Sequence, residues 1–274
     1  MRVRVLVTGD RGRVGAVVAA ELRRRGHDVA GFDAAGGDDV RDLAMVRRAV
    51  AGRDAVFHLA ALAHDTAGTP EDIMAVNVLG TWHVLQAAAE AGVERVVHFS
   101  SAQALGIAEG ERPPDHLPID DAHPLRASRP YGLSKRLTEE LCEGFTDRTG
   151  IPTVCLRPVW VCDEAIYRRV EARWRADPKS EWKPFWEFGA HVDIRDVADA
   201  AALALTRPAA GHARLLLAAD DAWTTSPSRE MARRLLPDVP WRGGPEFDAD
   251  PFRSLVDARR AREALGWAPR RRRP

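Results

Sequence analysis

The strongest constraint on the fold lies at the start of the chain. An apolar run over residues 3–7 leads into Thr8-Gly9-Asp10-Arg11-Gly12-Arg13-Val14-Gly15, and a helical pattern follows to Arg25 before Gly26. The three glycines have separate uses. Gly9 permits a tight turn, Gly12 lets backbone amides approach a diphosphate, and Gly15 lets the helix lie close to the strand with its positive dipole end facing the anion. Three glycines also occur in ordinary turns, but a strand before and a helix after favour the dinucleotide reading.

The alternation continues through predicted strands at 28–32, 55–58, 95–99, 153–156 and 215–217, separated by helical patterns at 43–50, 70–91, 134–149 and 194–205. This order predicts an α/β fold, a Rossmann-like doubly wound parallel sheet with a small C-terminal substrate-binding cap. Residues 1–158 form the expected dinucleotide-binding domain, completed by about 189–222, and residues 159–188 and 223–274 form the cap. Between 167 and 188 there is no strand period. Trp174, Trp182, Phe185, Trp186 and Phe188 either roof the site or make the cap's core.

Composition narrows the function. No apolar run approaches the roughly 20 residues of a membrane-spanning helix. Forty basic residues balance forty acidic ones, so no overall field favours nucleic acid or anionic lipid. The one dense basic block, 270–273, reads as a solvated tail. Cys142, Cys155 and Cys162 are odd in number and lack metal-ligand spacing, and the first residues run directly into a strand without a secretion signal. A cytoplasmic protein with reduced thiols and no metal is expected.

Asp33 ends the second strand, where a carboxylate accepts hydrogen bonds from both adenosine ribose hydroxyls and repels a 2′-phosphate. Residues 34–37 offer no guanidinium. NAD is therefore favoured over NADP, although Arg11 and Arg13 leave NADP as the less favoured cofactor. The plainer alternative is a surface aspartate at a strand end.

The sharpest signal is Tyr131-Gly132-Leu133-Ser134-Lys135, which puts phenol and amine one helical turn apart. The chain has two tyrosines, and its lysines are at 135, 179 and 183 alone. A shared surface helix face is the bland reading. In the chemical reading, a phenol of pKa about 10 exchanges a proton near neutrality, a displacement of roughly 4 kcal/mol. A neighbouring ammonium pushes in that direction. Ser101, at the end of the fourth strand, would hold a substrate oxygen beside Tyr131. His58 sits in an apolar strand and reads as a satisfied core histidine, while Asp193 and Asp196 read as helix-start residues.

In order, TGDRGRVG at 8–15, FD at 32–33, GDDVRD at 37–42, VFHLAA at 56–61, NVLGT at 77–81, FSSAQALG at 99–106, YGLSK at 131–135, LRP at 156–158 and HVDIRDVA at 191–198 resemble the extended short-chain dehydrogenase/reductase family, in its NAD-dependent epimerase/dehydratase group. The resemblance implies that Ser101, Tyr131 and Lys135 are catalytic. It implies cofactor contacts from Gly9, Arg11, Gly12, Arg13, Val14 and Gly15, from Asp33 and Ser100, and from Tyr131 and Lys135 themselves. Asp39 and Val40 would lie near the adenine, and Leu59, Ala60 and Ala61 along the pyrophosphate and ribose. Asn77 would stand beside the cofactor site and Pro158 against the nicotinamide. Core packing is the alternative for the apolar members of this set. Ser101, Gln103 and Trp160 would face the substrate.

Two departures sharpen the expectation. Ala102-Gln103 stands where family dehydratases carry Asp-Glu, which argues against dehydration. Trp160 stands where nucleotide-sugar members carry Asn, which argues against a nucleoside-diphosphate sugar. The short cap and the ending Leu265-Gly266-Trp267-Ala268-Pro269 are more similar to compact members such as uronate dehydrogenases. The expected function is NAD-dependent hydride transfer at a hydroxyl or carbonyl of a sugar, sugar acid or small polyol. The alternatives are a sugar or nucleotide-sugar epimerase with internally recycled hydride, and a non-catalytic NAD(P)-binding regulator. Partners implied are a small-molecule substrate and a second copy of the chain, meeting through helices around 77–91 and 134–149, with neither nucleic acid nor membrane.

Overall fold

The computed structural model describes residues 2–107, 110–177, 186–207 and 211–272. Its strands are β1 (Arg4–Thr8), β2 (Asp28–Phe32), β3 (Ala55–His58), β4 (Arg95–Phe99), β5 (Thr153–Pro158), β6 (Trp160–Cys162), β7 (His191–Asp193) and β8 (His212–Leu217). Six of them pair in the order β2-β1-β3-β4-β5-β8, all parallel, with Val7 opposite Phe57, Phe57 opposite Val97 and Val97 opposite Val154. After β2 the chain returns past β1 to place β3 on its other side. That reversal opens a crevice beyond the carboxyl ends of β1 and β3, where doubly wound sheets bind ligands.

Helices cover both faces. α1 (Arg13–Arg24) and α7 (Ile194–Thr206) pack together on one side. α2 (Leu43–Val50), the short α3 (Pro70–Ile73), α4 (Gly80–Ala91) and α5 (Pro130–Thr149) lie on the other. α1 buries Val18 and Leu22 completely, each worth about 1.5–3 kcal/mol. Alanines 198, 200, 201, 202 and 204 of α7 are buried too, and side chains this small let that helix approach the sheet closely.

Three local expectations are corrected. The helix expected over 70–91 contains a wide π turn at Met74–Leu79. There the Asn77 carboxamide accepts from Leu62 N at 2.8 Å and donates to Leu62 O and Ser134 Oγ, while Thr81 Oγ1 donates to the Asn77 carbonyl. The helix expected from 134 begins at Pro130, because Asp65 accepts the Tyr131 N–H at 2.7 Å from a loop 66 residues away. A three-residue strand, β6, follows β5 and pairs with β7 apart from the main sheet, too short to show a period.

Behind β6, α6 (Glu164–Ala176) is capped by Asp163 accepting from Ile166 N. Trp160, Tyr167, Trp174 and His191 surround Trp223, with the Trp160 and Trp223 rings stacked at 5.9 Å. Trp174 thus belongs to a packed aromatic cluster. Trp182 and Phe185 lie outside the described residues, as does the side chain of Trp186. The rest of the chain forms α8 (Ser228–Leu235), α9 (Glu246–Ala249) and α10 (Arg259–Leu265).

The segment beyond α10 is docked, which corrects the expectation of a solvated tail at Arg270 and Arg271. Asp193 caps α7 by accepting from Arg195 N. Asp196 caps nothing: its carboxylate accepts the backbone N–H groups of Arg270 and Arg271 and pairs with the Arg271 guanidinium at 2.5 Å. Trp267 Nε1 donates to the Asp196 carbonyl. Asp196 is fully buried, and an unpartnered carboxylate there would be costly. Burial holds its carboxyl above the usual range even with Arg271 alongside. No described helix is long and apolar enough to cross a membrane.

Candidate functional site

The carboxyl ends of β1, β3, β4 and β5 meet the start of α5 around a cavity of about 400 Å³. Gly9, Gly12 and the first turn of α1 form one wall, and Ser100, Ser101 and Gln103 another. Tyr131, Lys135, Pro158 and Trp160 complete it. A second cavity of about 690 Å³ shares Gly9, Gly12, Leu59 and Ala61 and runs toward Asp33, Asp39, Val40 and Ala60. The two lobes form one elongated trough across the sheet's switch point.

The glycine loop is shaped by contact. Gly9 has a φ of +72°, and a Cβ on it would lie 2.7 Å from Ala60 N. A Cβ on Gly15 would lie 1.9 Å from the Gly9 carbonyl oxygen. Gly12 caps α1 without any side-chain hydrogen bond, leaving first-turn amides free to meet an anion. At the far end, Asp33 accepts from Ala35 N at 2.8 Å and Arg11 N at 3.1 Å. These features fit a dinucleotide, with an anion cradle at the middle of the trough and a carboxylate at one end.

Behind the loop, Thr8 Oγ1 accepts from Leu59 N and Ala60 N and donates to His58 Nδ1 at 2.7 Å. His58 Nε2 then donates to Thr81 Oγ1 at 3.0 Å, a tautomer assigned from this network. Burial, then the nearby Lys135 charge, pushes His58 down to about 3. It is a neutral, satisfied core histidine.

At the other end, Ser101 Oγ accepts from Gln103 N at 3.1 Å, which leaves its own O–H to donate into the cavity. Lys135 Nζ donates to Phe99 O at 2.7 Å and stands 5.8 Å from the centre of the Tyr131 ring. Burial pushes the Lys135 amine down to about 8. An ammonium beside a phenol favours the phenolate.

Some residues named from the sequence are engaged elsewhere. Asn77 is buried and its carboxamide is spent on Leu62 and Ser134, so it braces the loop after β3 and does not line the trough. The Arg11 guanidinium donates to Ala35 O, and only its amide reaches Asp33. Ser100 lines the cavity, but its hydroxyl donates to Glu139. Arg13 reaches across to the Val161 carbonyl. The sequence reading missed His64, Val159 and Val161 in the wall, since His64 lies in an irregular loop, Val159 in the bend between β5 and β6, and Val161 in a strand too short to recognise.

Outside the trough, His116, Asp120 and His123 gather their donor atoms within 4.8 Å. His123 Nδ1 accepts from Asp120 N and its Nε2 donates to the His116 carbonyl, so these contacts close a turn.

The sequence profile of the NAD dependent epimerase/dehydratase family matches residues 5–217. A uronate dehydrogenase of Pseudomonas syringae pv. tomato is 32% identical over 183 residues, covering 62% of this chain; the match spans 64% of that relative, just under two thirds of its length. A UDP-glucose 4-epimerase of Streptomyces lividans is 30% identical over 315 aligned positions, covering 99% of this chain and 93% of the relative. Among solved structures, a short-chain dehydrogenase/reductase superfamily protein from Agrobacterium tumefaciens with bound NAD superposes with a TM-score of 0.72 at 28% identity, covering 98% of this chain and 93% of the other.

Proposed function

The chain belongs to the NAD-dependent epimerase/dehydratase family, and from that premise we propose that it is an NAD-dependent oxidoreductase acting on a hydroxyl or carbonyl of a sugar, sugar acid or similar small polyol. One observation carries this reading: Ser101, Tyr131 and Lys135 line a single cavity continuous with the glycine loop. The residues present fit NAD, with the amides of α1 toward the diphosphate and Asp33 toward the ribose hydroxyls. Bound there, NAD supplies the hydride acceptor or donor.

The chain's own residues handle the proton. Tyr131 takes it from, or returns it to, the substrate oxygen, and Ser101 donates a hydrogen bond to that same oxygen. The Lys135 ammonium holds the phenol toward its ionised form. The ammonium stands 5.8 Å from the centre of the phenol ring, and a unit charge at about that range is worth about 3 kcal/mol at an effective dielectric of 20, most of the roughly 4 kcal/mol required. From the expected cap, Val159, Trp160 and Val161 reach the cavity wall and would face the substrate. Trp160 in the wall, and a volume shared with the nicotinamide end, favour a free monosaccharide or sugar acid.

The full-length likeness to a UDP-glucose 4-epimerase favours a second reading, epimerisation with the hydride returned to the opposite face. Absorbance of reduced nicotinamide, followed across aldoses, uronic acids, polyols and nucleotide sugars, separates the two. Growth of the signal with NAD identifies a dehydrogenase, and sugar interconversion without growth an epimerase. NAD binding with neither leaves a regulator.

Cofactor choice is tested at Asp33. Asp33→Asn keeps an acceptor for Ala35 N but loses the charge, so NAD binding should weaken about 10-fold or more, as for loss of a charged hydrogen bond. NADP should gain relative to NAD. An unchanged ratio of the two KM values would contradict the ribose role.

Leu79 and Trp82 are each 45% exposed on neighbouring turns, and α4 packs on α5. We read this face as the contact with a second copy. Replacing both residues with arginine should convert a dimer to monomers in sedimentation at micromolar concentration; a monomeric unmodified protein refutes the contact. With its three thiols free and buried, the protein suits the cytoplasm.

A further inference from the structure

The end of β4 is held at two successive residues. Lys135 Nζ donates to Phe99 O at 2.7 Å, and Ser100 Oγ donates to Glu139 Oε1 at 2.5 Å. Lys135 and Glu139 lie one turn apart on the buried face of α5. Ser100 and Ser101 follow β4 directly, and the Ser101 hydroxyl opens on the cavity. Glu139 is held in turn: Arg157 Nε and Nη2 donate to its two oxygens at 2.8 and 2.5 Å, and Arg214 Nε lies 3.2 Å from Oε2. Every contact comes from a donor, the pattern a carboxylate accepts.

Glu139 and Arg157 are essentially unexposed, at 0% and 1%, and neither lines the cavity. Burying such a pair costs desolvation that apolar residues of the same volume would avoid. We propose that Glu139, fixed by Arg157, is a positioning residue for the reacting centre: through Ser100 it sets the direction of Ser101, and its charge keeps Lys135 an ammonium. This rests on the roles given above to Ser101 and Lys135.

The surroundings of Lys135 single out Glu139. Burial drives the amine down to about 8, opposed by Cys155, Glu139 and Cys142. Burial also pushes the Cys155 thiol far up, so it is uncharged near neutrality. His58 on β3 and His98 on β4 are driven down by burial and stay neutral. Tyr131 shares the helix, while the cations Arg157 and Arg214 are engaged with Glu139, and His212 on β8 is lowered by burial. Glu139 is the carboxylate of this set.

Lysines occur at 135, 179 and 183 alone, so protein labelled with 13C at lysine Cε gives three signals, with that of Lys135 identified by its loss in Lys135→Arg. In Glu139→Gln the Lys135 titration should fall by about one unit, the scale of losing one nearby charge. Turnover at pH 8 should drop about five-fold, as the ammonium fraction falls from about a half to about a tenth, with KM for NAD within about two-fold. Glu139→Asp should recover part of both. Should Glu139→Gln strand Arg157 and fail to fold, the neutral pair Glu139→Gln/Arg157→Met carries the same test. A folded variant whose Lys135 titration stays at the wild-type value, or whose turnover loss is equal at every pH, overturns the proposal. The lysine titration needs no substrate. Silence of the wild-type protein on every sugar therefore refutes the oxidoreductase reading alone, while the lysine signal still judges Glu139.

Discussion

Tyr131→Phe should leave the protein folded and lower turnover by about 10²- to 10⁴-fold, the contribution of a positioned proton donor or acceptor. The substitution keeps the ring, which is 8% exposed, and removes only the hydroxyl. Lys135 would stay bonded to Phe99 O and the glycine loop would be untouched, so KM for NAD should change little. Loss of turnover without loss of cofactor binding marks an interaction made in the transition state. The reduced-nicotinamide assay on the best substrate measures it directly, and turnover at the wild-type rate would remove Tyr131 from the chemistry.

The largest stability effect is expected at Arg157→Ala. Glu139 is fully buried and takes two of its hydrogen bonds from that guanidinium, so the variant leaves a buried carboxylate short of partners. Breaking one side of a buried pair costs about 3–5 kcal/mol, whereas replacing both sides is often near neutral. Urea denaturation should therefore show a large fall for Arg157→Ala and a much smaller one for Glu139→Gln/Arg157→Met. A loss under about 1 kcal/mol in the single variant would mean that Arg214 and Ser100 satisfy Glu139 unaided.

The legible parts of this protein are those whose signals are local. The glycine loop, the strand–helix rhythm and the Tyr131–Lys135 spacing each occupy a few consecutive residues, because the physics that dictates them acts over one turn or one strand. Ser101 was readable from its place at a strand end, and Gln103, Pro158 and Trp160 from the family resemblance; all four line the trough. What stayed hidden depends on partners distant in sequence. The start of α5 is capped by Asp65 from 66 residues away. Asp196 reads as an ordinary helix-start acid until Arg271, 75 residues on, is seen against it. The π turn carries the Asn77 side chain, which bonds Leu62 and Ser134, contacts that no periodicity encodes. Glu139 carries no signal in the sequence and Arg157 shows only within LRP at 156–158, since only the packing of α5 on β5 joins them as a buried pair.

The parallel sheet also governs how the chain reaches this state. Neighbouring strands are never joined by a hairpin: residues paired between β1 and β3 are 50 apart, as at Thr8 and His58, and those between β5 and β8 are 59 apart, as at Thr153 and His212. No strand pair can form before a long loop closes, so folding should be slow, on the scale of milliseconds to seconds or longer. Until then the apolar strands Val5–Val7 and Val96–Phe99 remain open to other molecules. Refolding yield should accordingly fall as protein concentration rises, through competition between crossover closure and association.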